Sequence, residues 1–132
     1  MSGYFLHLPE SIKNPILYKK GLHIISEFSV KDSLILKDSE KVKIFLNNSI
    51  TTLCLSKVGE VFYQFPDSGY TGIICLTESH ISIHTWPEHN RVTFDVFLSN
   101  YMKYNDDIAE TIHSGLLTLL EAEEINTSRL KR

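Results

Sequence analysis

Residues 71–98 read Thr-Gly-Ile-Ile-Cys-Leu-Thr-Glu-Ser-His-Ile-Ser-Ile-His-Thr-Trp-Pro-Glu-His-Asn-Arg-Val-Thr-Phe-Asp-Val-Phe-Leu. Three β-rich runs follow one another here, over 71–77, 80–86 and 91–98. In the third, Val92, Phe94, Val96 and Leu98 fall on one face, as the two-residue strand period requires. Pro87-Glu88-His89-Asn90 is a turn by composition. A connection this short leaves no room for a crossover, so neighbouring strands pair antiparallel.

Outward from this segment, 58–65 alternates well enough for a further strand, and Pro66-Asp67-Ser68-Gly69 turns the chain after it. Residues 22–28 read as a first core strand, and 53–55 as a short strand or a loop. Val42, Phe45, Leu46 and Ile50 recur at helical spacing behind a cap at Asp38 or Ser39. Ile108, Ile112, Leu116 and Leu119/Leu120 do the same behind Asn105-Asp106. Two apolar-faced helices need a sheet to cover. The expected fold is α+β, a two-layer sandwich of a mainly antiparallel sheet covered by two amphipathic helices. An irregular arm is expected over 1–20, with a short edge strand at 4–8 before Pro9 and Pro15. The domain itself is expected over 21–124, and a frayed tail over 125–132.

With 132 residues, 42% of them hydrophobic, the chain suits one compact domain with a real core. The net charge of -3 argues against a nucleic-acid partner. Lys19-Lys20 and Arg129-Leu130-Lys131-Arg132 read as solvated ends. There is no long apolar run for a membrane span, no secretory start, and no glycine-rich phosphate loop. A cytoplasmic protein is expected, with Cys54 and Cys75 as free buried thiols.

The chemistry concentrates in residues 78–88. Taken alone, Ser79 after Glu78 is a turn serine. His80 and His84 stand four apart, which on a helix would let them share a metal. Ile81, Ile83, Thr85 and Pro87 favour a strand instead, where such positions lie roughly 13 Å apart. One ion cannot bind both, and no metal is expected. His80 suits a core or interface position as well as a catalytic one. His7, His23, His89 and His113 carry no chemical argument. Alternation puts Ser79 and His84 on opposite faces. They approach only if the strand bends near Ser79, or across subunits.

Glu78-Ser79-His80, continued through His84-Thr85-Trp86-Pro87-Glu88, resembles the maturation segment of the bacterial and archaeal S-adenosylmethionine decarboxylases. Phe65-Pro66-Asp67-Ser68-Gly69-Tyr70-Thr71-Gly72 looks like the family's substrate-side loop, and weaker similarity runs from Gly21 onward. The resemblance implies self-cleavage between Glu78 and Ser79, with Ser79 converted to a pyruvoyl cofactor and His84 as the base. It implies adenine contact by Phe65, a hydroxyl from Thr71, a pocket wall at Trp86 and ribose recognition by Glu88. The implied substrate is S-adenosylmethionine and the product its decarboxylated form, used in spermidine synthesis. The implied assembly is a homo-oligomer of processed chain pairs, with no nucleic acid or membrane partner. Ser99 departs from the pattern, because the family has a proton-donating cysteine there. A hydroxyl is a far weaker acid than a thiol of pKa ~8.5. Either His84 or a tyrosine supplies the proton, or Ser99 holds a water, or the substrate has changed. The alternatives are therefore a pyruvoyl-dependent arginine or ornithine decarboxylase, and an unprocessed homologue that binds ligands or an active partner subunit.

Overall fold

The computed structural model describes residues 18–132. The arm expected over 1–20 lies outside them except for its last three residues, as does the edge strand at 4–8. Among the described residues six strands form one sheet: β1 (Leu22–Ser29), β2 (Lys57–Gln64), β3 (Tyr70–Leu76), β4 (His80–Trp86), β5 (Arg91–Leu98) and β6 (Glu123–Lys131). Their order across the sheet is β2-β3-β4-β5-β1-β6, and every neighbouring pair is antiparallel. Helices α1 (Ser39–Thr52) and α2 (Asp106–Leu120) cover one face. The sandwich read from periodicity is the observed architecture.

Side-chain alternation sorts the sheet into two faces. Ile24 and Phe28 of β1, Ile74 of β3, Ile81 and Ile83 of β4, and Val92, Phe94, Val96 and Leu98 of β5 point under the helices and are buried. They meet Val42, Leu46 and Ile50 of α1, and Ile112, Leu116 and Leu120 of α2. Burying one such side chain stabilises by roughly 1.5–3 kcal/mol. Asp38 caps α1 by accepting from the Lys41 amide at 3.3 Å. A 3-10 turn at Ser33–Lys37, not apparent from periodicity, tucks Leu36 into the core.

The core also holds one histidine. His113 of α2 is 1% exposed and bonds the Ser26 hydroxyl at 2.7 Å. Burial is the main influence on its imidazole and pushes the pKa down from the usual histidine value.

Two expectations are corrected. Residues 125–132 are not a frayed tail, because β6 pairs with β1 from Leu22↔Lys131 to Ser29↔Glu123. Its side chains are almost all exposed, so no apolar period marks it. Backbone hydrogen bonds hold it, and a polar edge strand discourages pairing with other chains. Cys54 and Cys75 are free but exposed, not buried. Cys75 alternates with Ile74 onto the open face, and Cys54 sits in the turn after α1 at φ 60. Among the described residues no helix is long and apolar enough to cross a membrane.

Candidate active site

Ser79 lies in the turn between β3 and β4. The Leu76 amide donates to the Ser79 carbonyl at 2.9 Å and closes that turn. The Thr77 amide donates to Ser56 O at 3.0 Å, tying the turn to the loop before β2. The peptide between Glu78 and Ser79 is thus presented at the end of a hairpin. Glu78 is exposed and Ser79 half-buried.

Position 99, singled out because it departs from the pattern, is at this turn. The Ser99 hydroxyl donates to Glu78 Oε2 at 2.7 Å. It stands at the end of β5, where β4 and β5 pair from His80↔Phe97 to Trp86↔Arg91. The backbone behind it is held too: Asn105 Nδ2 donates to Ser99 O at 2.8 Å.

His80, Ser82 and His84 share the open face of β4, since only Ile81, Ile83 and Thr85 are buried between them. His84 is held from β3. Its Nδ1 lies 3.1 Å from the Thr71 hydroxyl, across the Thr71↔His84 register pair. Phe65 and Trp86 are 47% and 46% exposed, so neither fills the core. Phe65 makes an edge contact with Tyr63 at 4.8 Å between ring centroids. Glu88 is exposed on the short 3-10 turn at Pro87–His89.

Thr85 and Gly69 fix this end of the hairpin. The buried Thr85 hydroxyl accepts from the Tyr70 amide at 2.9 Å and donates to Leu36 O at 2.8 Å. Any Cβ at Gly69 would stand 2.3 Å from the Thr85 carbonyl, so glycine is required there.

The predicted residues therefore fall into two groups. Glu78, Ser79 and Ser99 meet at one end of β4. Phe65, Thr71, His84, Trp86 and Glu88 lie toward the other. Five residue steps along the extended chain separate Ser79 from His84, roughly 16 Å. Among the described residues no hydrogen bond joins the two groups, and β4 shows no bulge that would bring His84 back.

Between the groups lies a polar cluster that no sequence spacing announces. Asp95 Oδ2 accepts from His23 Nε2 at 2.7 Å and from His80 Nε2 at 2.9 Å, and Ser82 donates to Oδ1. Burial pushes the Asp95 carboxyl up, but these three donors outweigh it and hold it below the usual carboxylate range. The chain forms a groove of about 400 Å³ beside them, lined by His23, Ser82, His84, Thr93 and Asp95 among others. His80, Ser82 and His84 on β4, with Arg91, Thr93 and Asp95 on β5, put polar side chains at most outward positions of these strands, and that was the available signal for a site on this face.

The family model for S-adenosylmethionine decarboxylase matches residues 22–132. The chain belongs to that family. It is 50% identical over 78 residues to the S-adenosylmethionine decarboxylase proenzyme of Hydrogenobaculum sp., an alignment spanning 58% of each chain. The proenzyme of Thermoplasma acidophilum is 33% identical over 112 residues, covering 85% of this chain and 82% of the relative. The crystal structure of the adenosylmethionine decarboxylase from Aquifex aeolicus superimposes with a TM-score of 0.75 at 30% identity, over 87% of this chain and 92% of that one.

Proposed function

We propose that this protein is a self-cleaving carboxy-lyase that decarboxylates S-adenosylmethionine through a pyruvoyl group made from Ser79. The observation that carries this reading is the turn itself. Ser79 sits at a hairpin end with its scissile neighbour exposed, and Ser99 grips the Glu78 carboxylate.

Maturation follows from ordinary acyl chemistry. The Ser79 hydroxyl attacks the Glu78 carbonyl, and the amide becomes an ester with a free amine. Loss of the Ser79 Cα proton breaks the Cβ–Oγ bond, expels Oγ as part of the new main-chain α-carboxylate of Glu78, and leaves dehydroalanine. Water then replaces nitrogen, ammonia leaves, and the new chain starts with pyruvoyl. The residues present suit that group. β4 begins at His80 and stays paired with β3 and β5 after the cut, so the new terminus remains anchored. Once formed, the pyruvoyl carbonyl supplies an electron sink for the leaving carboxylate. Phe65 and Trp86 offer aromatic faces for a base, and the Glu88 carboxylate can accept from both hydroxyls of a ribose. Thr71 orients the His84 ring through Nδ1, leaving Nε2 to take or give a proton.

The two groups of residues are too far apart in one chain to act on one substrate. A second copy packed on the open face supplies the missing half. Ser79, Glu78 and Ser99 of one chain then meet His84, Thr71, Phe65, Trp86 and Glu88 of the other. The exposed Ile25, Ile73 and Trp86 give that face an apolar component. The functional unit is thus a homo-oligomer of processed chains.

Intact mass of the purified protein tests the first step. The expected products hold residues 1–78 and 79–132, the smaller starting with pyruvoyl, and Ser79→Ala stays whole. A folded native preparation that remains one chain overturns the reading. Carbon dioxide release is then measured with S-adenosylmethionine beside arginine and ornithine, and only the first is expected to react. Co-expression of Ser79→Ala with His84→Ala tests the composite site. Mixed pairs regain one complete site, whereas either variant alone regains none.

A further inference from the structure

Three strands of the open face aim metal-ligating atoms at one point. His23 comes from β1, His80 from β4 and Asp95 from β5, and the three residues' donor atoms all lie within 4.8 Å of one another. Sequence spacing pairs His80 with His84, which one ion cannot span; the sheet instead pairs it with two residues remote in the chain.

We propose that His23, His80 and Asp95 form a binding site for a divalent transition-metal ion of the zinc type, with water completing the coordination from the open face. Two imidazoles and one carboxylate suit Zn²⁺, Co²⁺ or Fe²⁺, whereas Mg²⁺ and Ca²⁺ prefer all-oxygen sites. The donors are positioned in advance. His23 is buried, and its ring packs edge-on to His80 at 5.5 Å and against Phe97 at 5.3 Å. Ser82 donates to Asp95 Oδ1, which orients the carboxylate and leaves Oδ2 facing the two imidazoles. That is the outer support a metal-bound carboxylate ordinarily has.

Ion entry requires small changes. Ligand atoms about 2.1 Å from a tetrahedral ion stand about 3.4 Å apart. The imidazoles, now at 2.7 and 2.9 Å from Oδ2, must open slightly. To bind the ion, each ring must present a bare Nε2 and carry its proton on Nδ1. His23 Nδ1 now lies 3.4 Å from Arg132 Nη1, and its new proton would point at that donor. Arg132 is exposed and can turn to solvent, so it opposes the ion without blocking it. The bound ion would brace β1, β4 and β5 beside the cleavage hairpin.

The test uses the purified full chain, native and as uncleaved Ser79→Ala, after removal of metals with a chelator. Co²⁺ is titrated and its visible d–d absorption followed, with Zn²⁺ and Mg²⁺ as competitors. One Co²⁺ per chain is expected, displaced by Zn²⁺ and not by Mg²⁺. Ser82→Ala should weaken binding by about tenfold to a hundredfold. His80→Gln, at a half-exposed position that tolerates the change, and Asp95→Asn should abolish saturable binding. Arg132→Ala should tighten it, and His89→Gln should leave it unchanged. Circular dichroism confirms that each variant is folded. Absence of saturable Co²⁺ binding to the folded native chain overturns the proposal. So does binding that survives His80→Gln, or binding that His89→Gln removes.

Discussion

Replacing Thr85 by valine removes two hydrogen bonds and almost no volume. Thr85 is 6% exposed, and its hydroxyl serves the Tyr70 amide and the Leu36 carbonyl at 2.9 and 2.8 Å. Valine keeps the shape and strands both backbone groups away from water. An orphaned buried group costs about 1–3 kcal/mol, so the pair should cost about 2–6 kcal/mol. The lower half of that range is favoured if Leu36 O, with two lone pairs, recruits a water. Thr85→Ser keeps both bonds and loses one methyl, costing about 1 kcal/mol. Urea unfolding of the two variants, each in the uncleaved Ser79→Ala chain, compares them without processing. Valine should lower the midpoint at least twice as far as serine. The local consequence is functional too, because Thr85 locks Gly69 and Pro87 together, and with them the loop carrying Phe65 and the turn carrying Glu88. A serine variant less stable than the valine variant would show that packing, not the paired hydroxyl, holds this end of the hairpin.

Four further outcomes are expected. Ser99→Cys should give more turnovers before inactivation, because a stronger acid at the turn suppresses misplaced protonation; the smaller fragment is followed for an alanine mass at its start, and an unchanged ratio means that position 99 is not the donor. Gly21→Ala should slow cleavage in a mass time course and destabilise by about 1–3 kcal/mol, since its Cβ would stand 2.3 Å from Leu98 O and 2.9 Å from Ser99 Cα; normal cleavage means that Ser99's placement is immaterial. Glu88→Gln should lower kcat/KM for S-adenosylmethionine by about tenfold to a hundredfold, the value of one charge-assisted hydrogen bond, and an unchanged value removes Glu88 from ribose recognition. His113 has a folded pKa below its unfolded one, so its contribution is held above the usual histidine range and lost as pH falls through and below it, at up to about 1.4 kcal/mol per pH unit; His113→Gln should flatten the decline of the urea midpoint between about pH 7 and pH 5.

Much of this protein is written in its local pattern. The spans 80–86 and 91–98 coincide with β4 and β5, because buried Ile81, Ile83, Val92, Phe94, Val96 and Leu98 impose a period that only a strand satisfies. Asp38 and Asn105 stand at the N-caps of the two helices, the first through its side chain and the second without a side-chain capping bond. β6 escaped that reading because an edge strand is held by its backbone and leaves its side chains in water. The exposure of Cys75 leaves no mark in the sequence, because a small apolar residue carries no label for the sheet face it occupies.

The residues of the cleavage turn are likewise legible, since Glu78, Ser79 and His80 are neighbours in the chain. Whether Ser99 reaches Glu78 is not, because that depends on the β4–β5 register. The joining of His23, His80 and Asp95, and the separation of Ser79 from His84, are decided only by strand order and side-chain direction. Short-range periodicity and turn chemistry act within a few residues and leave their mark on the sequence. Contacts across the sheet depend on which strands pair and in what register, and these are set by packing of the whole core.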